Sequence, residues 1–450
     1  MRKLEKILFY LLIFSLPFET RLILYQWGSE FNEWTSAFLY LTDLLIIGLL
    51  FFWVWRVPAQ GLLALSPTFL GASFLGASLL NFLGARLPKR RLPKRSGPGL
   101  ALVAFLLVAF ISLIQANNFW LGFYQWLKLL EFAFLFFYLR YNFKKLFSFK
   151  RTAQVFIASG LFQSIIAISQ YVSQASLGLW WFRESLLSPD LVGVAKIVVN
   201  GTKMIRAYAT FPHSNVLAAF LLAALFFLYW LWLKNKIHYS ALTGIFGLLF
   251  FAFFLTFSRT IIFVFLSATL LYFGFFFKKS RKKIIFLFLL FSVLCSLFSV
   301  LAWPELSSRF SVFLTEPAVS LRAFYNETAF LLIKGNPFLG IGLGNFVWEI
   351  KQTLPLLASW LHQPVHNIYL LIIAETGLIG FILFLFFIFS ILKEARNNEQ
   401  RTTNNEQYYS LMFIILCSLF IAFFDHFFWT LQQGQLIFWI LLGILASRSG

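Results

Sequence analysis

"LAAFLLAALFFLYWLWL", residues 217–233, carries no charged side chain from its first leucine to its last. The hydrocarbon core of a bilayer takes about 20 helical residues, so an apolar run of this kind predicts a membrane-spanning helix. Comparable runs occupy residues 284–302 and 368–392. Because such runs recur along the chain, the sequence predicts an all-α, polytopic membrane protein.

The composition of the whole chain supports this fold class. The chain has 450 residues, of which 60% are hydrophobic and 12% are charged, whereas a soluble protein carries about a quarter charged residues. The apolar runs and their polar flanks predict about twelve spans. The predicted spans lie at residues 7–24, 38–55, 99–115, 121–140, 152–173, 214–233, 239–257, 260–277, 284–302, 367–392, 408–424 and 430–446.

Membrane topology explains the net charge of +20. With the N-terminus in the cytoplasm, most lysines and arginines fall in the predicted cytoplasmic segments, as the positive-inside rule requires. The basic clusters lie at residues 89–95, 144–151, 278–283 and 393–401. This distribution predicts that both termini are cytoplasmic, and it indicates contact with membrane lipids instead of nucleic acid.

The predicted organisation is a single integral membrane domain over residues 1–450 with three long loops. Residues 57–98 repeat LGAS and RLPKR and are predicted to form an insertion-like, low-complexity cytoplasmic loop, since a further span there would invert the charge distribution downstream. The two large external loops are predicted at 174–213 and 303–366. The second is expected to contain a helix over residues 318–334, lying on the outer membrane face.

The sequence predicts neither a metal site nor a cofactor. The two cysteines, Cys295 and Cys417, lie inside apolar runs and offer no disulfide framework. A zinc site built on His362 and His366 is disfavoured, because Pro364 interrupts the helical pair and no nearby cysteine or carboxylate completes a ligand set.

The segment that begins at His366 is unusual for a membrane span. If the helix is regular, Gly377 is rotated by about 20° and Gly380 by about −40° from His366, so the three residues share one face. Small residues let a neighbouring helix come close, which gives the two glycines a structural role. Glu375 falls on the opposite side. A histidine that serves only as an interfacial anchor is the alternative at this point.

Further polar groups lie in predicted external segments. A guanidinium group matches phosphate oxygens and stays charged, and an imidazole can accept a proton near neutral pH. Interfacial arginines that reach lipid phosphates are the alternative for any single arginine. The external candidates are Arg206, His213, Asn215, Arg259, Arg322, Asp425 and His426.

"HNIYLLIIAETGLIG", residues 366–380, resembles the O-antigen ligase family. The pattern of that family is His followed by Asn, Ser or Gln, then nine residues, Gly, two residues, and Gly, Thr or Tyr. "RAYATFPHSNVLAAFL", "FSRT" and the long loop with "GNPFLGIGLGNF" are similar to other segments of that family. The resemblance covers most of residues 100–446 and leaves 57–98 outside it. One departure is the segment "FPHSN", where many relatives have proline directly before the asparagine.

The resemblance implies a membrane fold of the glycosyltransferase C type and transfer of a glycan from an undecaprenyl-diphosphate carrier. The acceptor is a hydroxyl group at the external face of the bacterial inner membrane, and neither metal nor cofactor is required. His366 is then the base, or the group that orients the acceptor. Arg259, Arg322 and, more weakly, Arg206 bind the diphosphate, and Asn367 belongs to the substrate-binding residues.

Several alternatives remain open at the level of sequence. Wzy-type polysaccharide polymerases and protein O-oligosaccharyltransferases share these motifs, so the acceptor can be a glycan, a lipid or a protein; the full His-Asn pattern favours a ligase. A transporter requires ionisable groups at mid-membrane depth. Lys128 and Glu131 lie well within a predicted span, at a spacing that lets them pair. The other polar groups gather at one face, which favours transfer over transport.

Overall fold

The computed structural model describes residues 2–56, 97–311, 317–399 and 405–447 and is 73% helical. The predicted loop at 57–98 lies outside the described residues up to residue 96. The helices are α1 (Arg2–Ser15), α2 (Leu41–Arg56), α3 (Gly97–Ile111), α4 (Phe119–Leu146), α5 (Phe149–Ser173), α6 (Ser214–Leu233), α7 (Tyr239–Phe254), α8 (Arg259–Leu301), α9 (Trp303–Ser311), α10 (Pro317–Gly335), α11 (Phe346–Thr353), α12 (Ile368–Glu399), α13 (Asn405–Ile421), α14 (Phe427–Thr430) and α15 (Gln432–Leu445). The described residues also form two antiparallel hairpins, β1 (Arg21–Gln26) with β2 (Ser36–Tyr40) and β3 (Lys196–Val199) with β4 (Thr202–Ile205).

Membrane-length helices confirm the predicted all-α, multi-span class. Among the described residues, five helices are long and apolar enough to cross a bilayer, and three further apolar helices are shorter. A helix lies at each predicted span, but the number of about twelve crossings stays a prediction. The five long apolar helices are Gly97–Gln115, Phe149–Ser173, Ser214–Leu233, Arg259–Leu301 and Ile368–Asn397.

Helix α8 contains two of the predicted spans, and the chain reverses direction between them. Ser280 has non-helical backbone angles (φ −140°, ψ 42°). Phe298 packs on Phe257 with ring centroids 6.2 Å apart, although 41 residues of straight helix would separate them by about 60 Å. The polar Lys278–Lys283 stretch is therefore the turn of a helical hairpin, as the two separate predicted spans require.

The first predicted span is too long at its C-terminal end. Helix α1 ends at Ser15, before Pro17, which has no backbone N–H to continue the helical hydrogen bonds. The chain then forms β1, where Arg21 pairs with Glu19 at 2.9 Å and with both oxygens of Glu33. The predicted boundaries at residues 24 and 38 are wrong, because apolar strand residues resemble a continuing membrane helix.

Loops that were predicted to share one side of the membrane meet in space. At one end of the bundle, Asn32 Nδ2 donates to the His362 carbonyl at 3.0 Å across 330 residues of sequence. At the other end, Glu406 pairs with Lys234 at 2.7 Å and with Lys279 at 2.6 Å. The two sets of loops are thus separated by the helices, and the charge pattern alone predicts which end faces the cytoplasm.

The buried lysine of α4 has carboxylate partners. Lys128 Nζ lies 2.7 Å from Asp43 Oδ1 and 2.8 Å from Glu131 Oε2. Gln432 Nε2 donates to the same Asp43 oxygen at 2.5 Å. Asp43 therefore links α2, α4 and α15. Lys128 and Glu131, the charged pair within the predicted span, belong to this network and hold the helices together.

Replacing Asp43 with alanine is expected to destabilise the protein by about 3–5 kcal/mol, because the Lys128 ammonium group loses a buried partner. The free energy of unfolding, measured by denaturant titration in mixed micelles, tests this. The exposed Asp190→Ala is the matched control and should change the free energy by less than about 0.5 kcal/mol. Equal values for the two variants would contradict the structural role.

Helix α12 is broken at Gly377, and the glycine-rich loop 337–345 packs into the break. Gly377 has φ 69° and ψ −179°. The Leu378 N–H donates to the Pro337 carbonyl at 2.8 Å, and the Gly342 N–H donates to the Glu375 carbonyl at 3.0 Å. A Cβ atom on Gly377 would lie 2.0 Å from the carbonyl oxygen of Phe338.

The break corrects the prediction of one continuous helical face. Helix α12 begins at Ile368, after His366, so the rotation that aligned His366 with Gly377 and Gly380 is wrong. A Cβ on Gly380 would first meet the Thr376 hydroxyl of its own helix, at 2.3 Å. Gly377 therefore makes room for the backbone of the loop, and Gly380 makes room for the Thr376 side chain; neither contact is with a neighbouring helix. The positive φ of Gly377 is also a conformation that mainly glycine adopts.

Candidate active site

His366 lies at the end of the bundle where the predicted external loops meet. Its ring lies 6.0 Å from the Tyr325 ring and 4.9 Å from the His426 ring, measured between centroids. Its Nδ1 atom is 3.8 Å from Oδ1 of Asp425, and 23% of its side chain is exposed. That separation is longer than a hydrogen bond, so the interaction with the carboxylate is electrostatic in this structure.

Asp425 and His426 occupy the turn between α13 and α14. The His426 N–H donates to Asp425 Oδ1 at 2.8 Å, and Asn215 Nδ2 donates to Oδ2 at 2.6 Å. The Thr430 hydroxyl donates to the His426 carbonyl and lies 2.6 Å from His426 Nδ1. Thr430 therefore contacts both the backbone and the ring of His426.

The electrostatic environment keeps two of the imidazoles neutral. Burial, together with the Arg206 charge, lowers the pKa of His213 to about 4. Burial, together with His366, lowers the pKa of His426 to about 3. Burial alone would raise the pKa of Asp425, but the surrounding imidazoles, His366 above all, hold it well below its usual range. The site therefore contains one buried carboxylate among three imidazoles.

The chain before α6 forms the adjoining wall. His213 caps the helix, since its Nδ1 accepts the Asn215 N–H at 3.1 Å. Arg206 is 7% exposed. Its Nη2 donates to Asn215 Oδ1 at 2.7 Å, and its Nε donates to the Thr256 carbonyl at 2.5 Å. The structure thus brings these predicted site residues together with Asp425.

Arg322 and Arg259 are more exposed than Arg206. Arg322 lies on α10, one helical turn before Tyr325, whose ring packs against His366. Its charge lowers the pKa of both His213 and His426. Arg259 is the first residue of α8, three residues after the Thr256 carbonyl that holds Arg206. Both side chains are partly exposed at the same end of the bundle.

Asn367 has a structural function in this geometry. Its Oδ1 accepts the Leu370 N–H at 3.1 Å, and its carbonyl accepts the Leu371 N–H at 3.0 Å. These contacts cap α12, because the first N–H groups of a helix have no partner within it. An asparagine after His366 therefore starts the helix and leaves the histidine in the preceding loop.

Two aromatic residues in contact with the site were missed by the sequence analysis. The Trp34 ring lies 5.7 Å from the His426 ring in an edge-to-face arrangement. Tyr325 packs against His366, and its hydroxyl donates to the Leu361 carbonyl at 2.5 Å. Neither residue belongs to a motif, and hundreds of residues separate Trp34 from His426, so no local pattern indicates the contact.

His366, Asp425 and His426 are also a possible set of metal ligands. Their ligand atoms lie within 4.8 Å of one another. Zinc ligands sit about 2 Å from the ion, so atoms this far apart would have to move closer together. The Arg206 and Arg322 charges beside a single carboxylate oppose a dication. Proton transfer fits this set better than metal binding, and the predicted lack of a metal stays a prediction.

The family comparison agrees with these motifs. Residues 244–385 match the model of a family described as O-antigen ligase, and no curated protein matches the chain. The matched segment contains Arg259, Arg322, His366 and both motif glycines. It supports an enzyme of the glycan ligase and polymerase superfamily and a multi-pass bacterial membrane protein. Residues 244–385 are therefore similar to the O-antigen ligase family, in agreement with the motifs around His366.

Proposed function

We propose that the protein transfers a glycan from an undecaprenyl-diphosphate carrier to an acceptor hydroxyl at the external membrane face. One observation carries the proposal: His366 lies beside Asp425 and packs against Tyr325, one helical turn from Arg322, although the sequence separates these segments widely. The carrier is inferred from the family, whose members act on lipid-linked glycans and acceptors.

His366 is the proposed base. The Asp425 carboxylate beside Nδ1 favours the tautomer that carries its proton there, which leaves the Nε2 lone pair for the acceptor. The acceptor hydroxyl gives its proton to Nε2, its oxygen bonds to the anomeric carbon, and the bond from that carbon to the phosphate oxygen breaks. The diphosphate departs with the bonding electron pair.

Arg322 and Arg259 are the proposed diphosphate ligands. Charge develops on the leaving phosphate oxygens, and guanidinium groups stabilise that charge through paired N–H donors. Both arginines are partly exposed at the end of the bundle that holds His366. A diphosphate is already a good leaving group, so charge neutralisation and one proton transfer are enough to drive the reaction.

Replacing Arg322 with lysine is expected to raise the KM for the lipid-diphosphate donor at least about 10-fold, because a point charge cannot replace a bidentate fork. Steady-state kinetics with reconstituted protein measure this. Arg183→Lys, at an exposed arginine in the segment between α5 and α6, is the matched control and should leave the KM unchanged. An unchanged KM in Arg322→Lys would remove this residue from the donor site.

The decisive experiment combines purified, reconstituted protein with a lipid-diphosphate glycan and candidate acceptors. Glycan on a different molecule identifies a ligase, as the full His-Asn pattern favours, whereas longer glycan on the carrier identifies a polymerase. Glycan on a protein identifies an O-oligosaccharyltransferase. Movement of intact lipid between leaflets with no new glycosidic bond would reject the transfer proposal in favour of a transporter.

A further inference from the structure

We propose that Asn215 and Arg206 are positioning residues that hold the Asp425 carboxylate toward His366. The inference rests on the proposed function, and it changes the role of Arg206. The family resemblance gives Arg206 a direct, if weaker, part in diphosphate binding. The geometry instead points to a chain of contacts from Arg206 through Asn215 and Asp425 to His366.

The Asn215 amide can take one orientation between its neighbours. A guanidinium group has only donors, so Arg206 Nη2, at 2.7 Å, must face the amide oxygen. The amide NH₂ group is then directed to Asp425, whose Oδ2 accepts from it at 2.6 Å. Without Arg206 the amide could turn and present its oxygen to the carboxylate, which would repel it. Arg206 therefore determines that Asn215 donates to Asp425.

Arg206 is itself fixed by the protein. Its side chain is 7% exposed, and its Nε donates to the Thr256 carbonyl at 2.5 Å. The Thr256 carbonyl belongs to the turn before α8, so the contact ties the segment before α6 to the α7–α8 turn. Arg322, by contrast, is partly exposed. The buried Arg206 guanidinium donates to a protein carbonyl and to an amide oxygen, so these donors orient protein groups.

Asp425 is then held through both oxygens. Oδ2 accepts from Asn215, and Oδ1 accepts the His426 N–H at 2.8 Å while lying 3.8 Å from His366 Nδ1. The carboxylate cannot turn away from His366 without losing a hydrogen bond in a buried setting. The imidazole therefore meets a fixed negative charge on its Nδ1 side, which keeps Nε2 available to the acceptor.

The test uses the reconstituted full chain with lipid-diphosphate glycan and acceptor. Asn215→Leu keeps the side-chain volume but removes both hydrogen bonds, and Arg206→Gln removes the charged donor. Each is expected to lower kcat by about 100-fold, the scale for a misplaced catalytic group, while the KM for the donor changes less than about 3-fold. Arg322→Gln is the comparison, in which the KM should rise.

Exchanging the amide and the carboxylate between residues 215 and 425 distinguishes a positioning role from a role in the stability of the fold. The double variant N215D/D425N restores an amide–carboxylate hydrogen bond and lets Arg206 face a carboxylate, so its thermal stability should match the wild type. Its kcat should nevertheless stay low, because the carboxylate no longer faces His366. Wild-type kcat in this variant would overturn the inference.

The outcomes are distinguishable from a failure of the proposed function. If the wild-type protein transfers no glycan to any acceptor, the proposed function fails and the positioning inference fails with it. If the wild type is active and Asn215→Leu keeps its kcat, the positioning inference fails alone. A raised donor KM with unchanged kcat in Arg206→Gln would return Arg206 to the diphosphate site.

Discussion

Replacing His366 with alanine is expected to lower the rate of glycan transfer by about 100- to 10,000-fold, the usual contribution of a positioned general base. The imidazole is partly exposed, unlike the buried Asp425 and His426, and it faces the Asp425 carboxylate through Nδ1. Removing it leaves the arginines in place, so the KM for the donor should change little. Single-turnover transfer with reconstituted protein gives the rate directly.

His238 offers a matched control for this substitution. It lies before α7 at the other end of the bundle, with Nδ1 3.1 Å from the Ser240 hydroxyl in an exposed setting. His238→Ala should transfer glycan at the wild-type rate. Both variants should keep the wild-type unfolding temperature. Full activity in His366→Ala would refute the base assignment, and a loss of folded protein would require His366→Gln in its place.

Gly377→Ala is expected to have the largest effect on folding, with a loss of more than about 4 kcal/mol, the range reached by severe backbone and packing clashes. The backbone angles of Gly377 lie in a region that is essentially restricted to glycine. A Cβ atom there would also lie 2.0 Å from the Phe338 carbonyl oxygen, which cannot move without disrupting the loop at 337–345. The yield of monodisperse protein in detergent and the free energy of unfolding measure the loss.

The same substitution at Gly247 is the control. Gly247 lies within α7, and a Cβ atom there meets no other atom within 4 Å. Gly247→Ala should leave the yield unchanged and stabilise the helix by up to about 1 kcal/mol. If Gly377→Ala folds as well as Gly247→Ala, the break in α12 and the insertion of the loop are wrong.

Local composition carried most of the fold prediction. Membrane helices depend on apolar residues that follow one another in sequence, so a run such as residues 217–233 predicts its helix without knowledge of the partners. The structure places helix α6 at Ser214–Leu233, as predicted. The same reasoning failed at residues 16–40, because apolar strand residues and the start of a membrane helix have similar composition.

The site was predictable in its parts and not in its arrangement. The motif indicated His366, the large external loop indicated Arg322, and the last external turn indicated Asp425. The geometry of Gly377 was not predictable, since a glycine in an apolar run is compatible with either a helix or a break. The proposed positioning role of Arg206 was not predictable for a related reason: its burial and its hydrogen bonds depend on segments far along the chain.

The sequence by itself determined the helical membrane class, the charge asymmetry of the loops and the identity of the imidazole in the family motif. Tertiary structure alone decided that Asn215 meets Asp425, 210 residues away, and that a loop enters the break at Gly377. The physical reason is the range of the interactions. The free energy of transferring a helix into lipid is a sum over residues that follow one another in sequence, so the sequence predicts it. The orientation of a carboxylate depends on donors that only the folded chain brings within hydrogen-bonding distance.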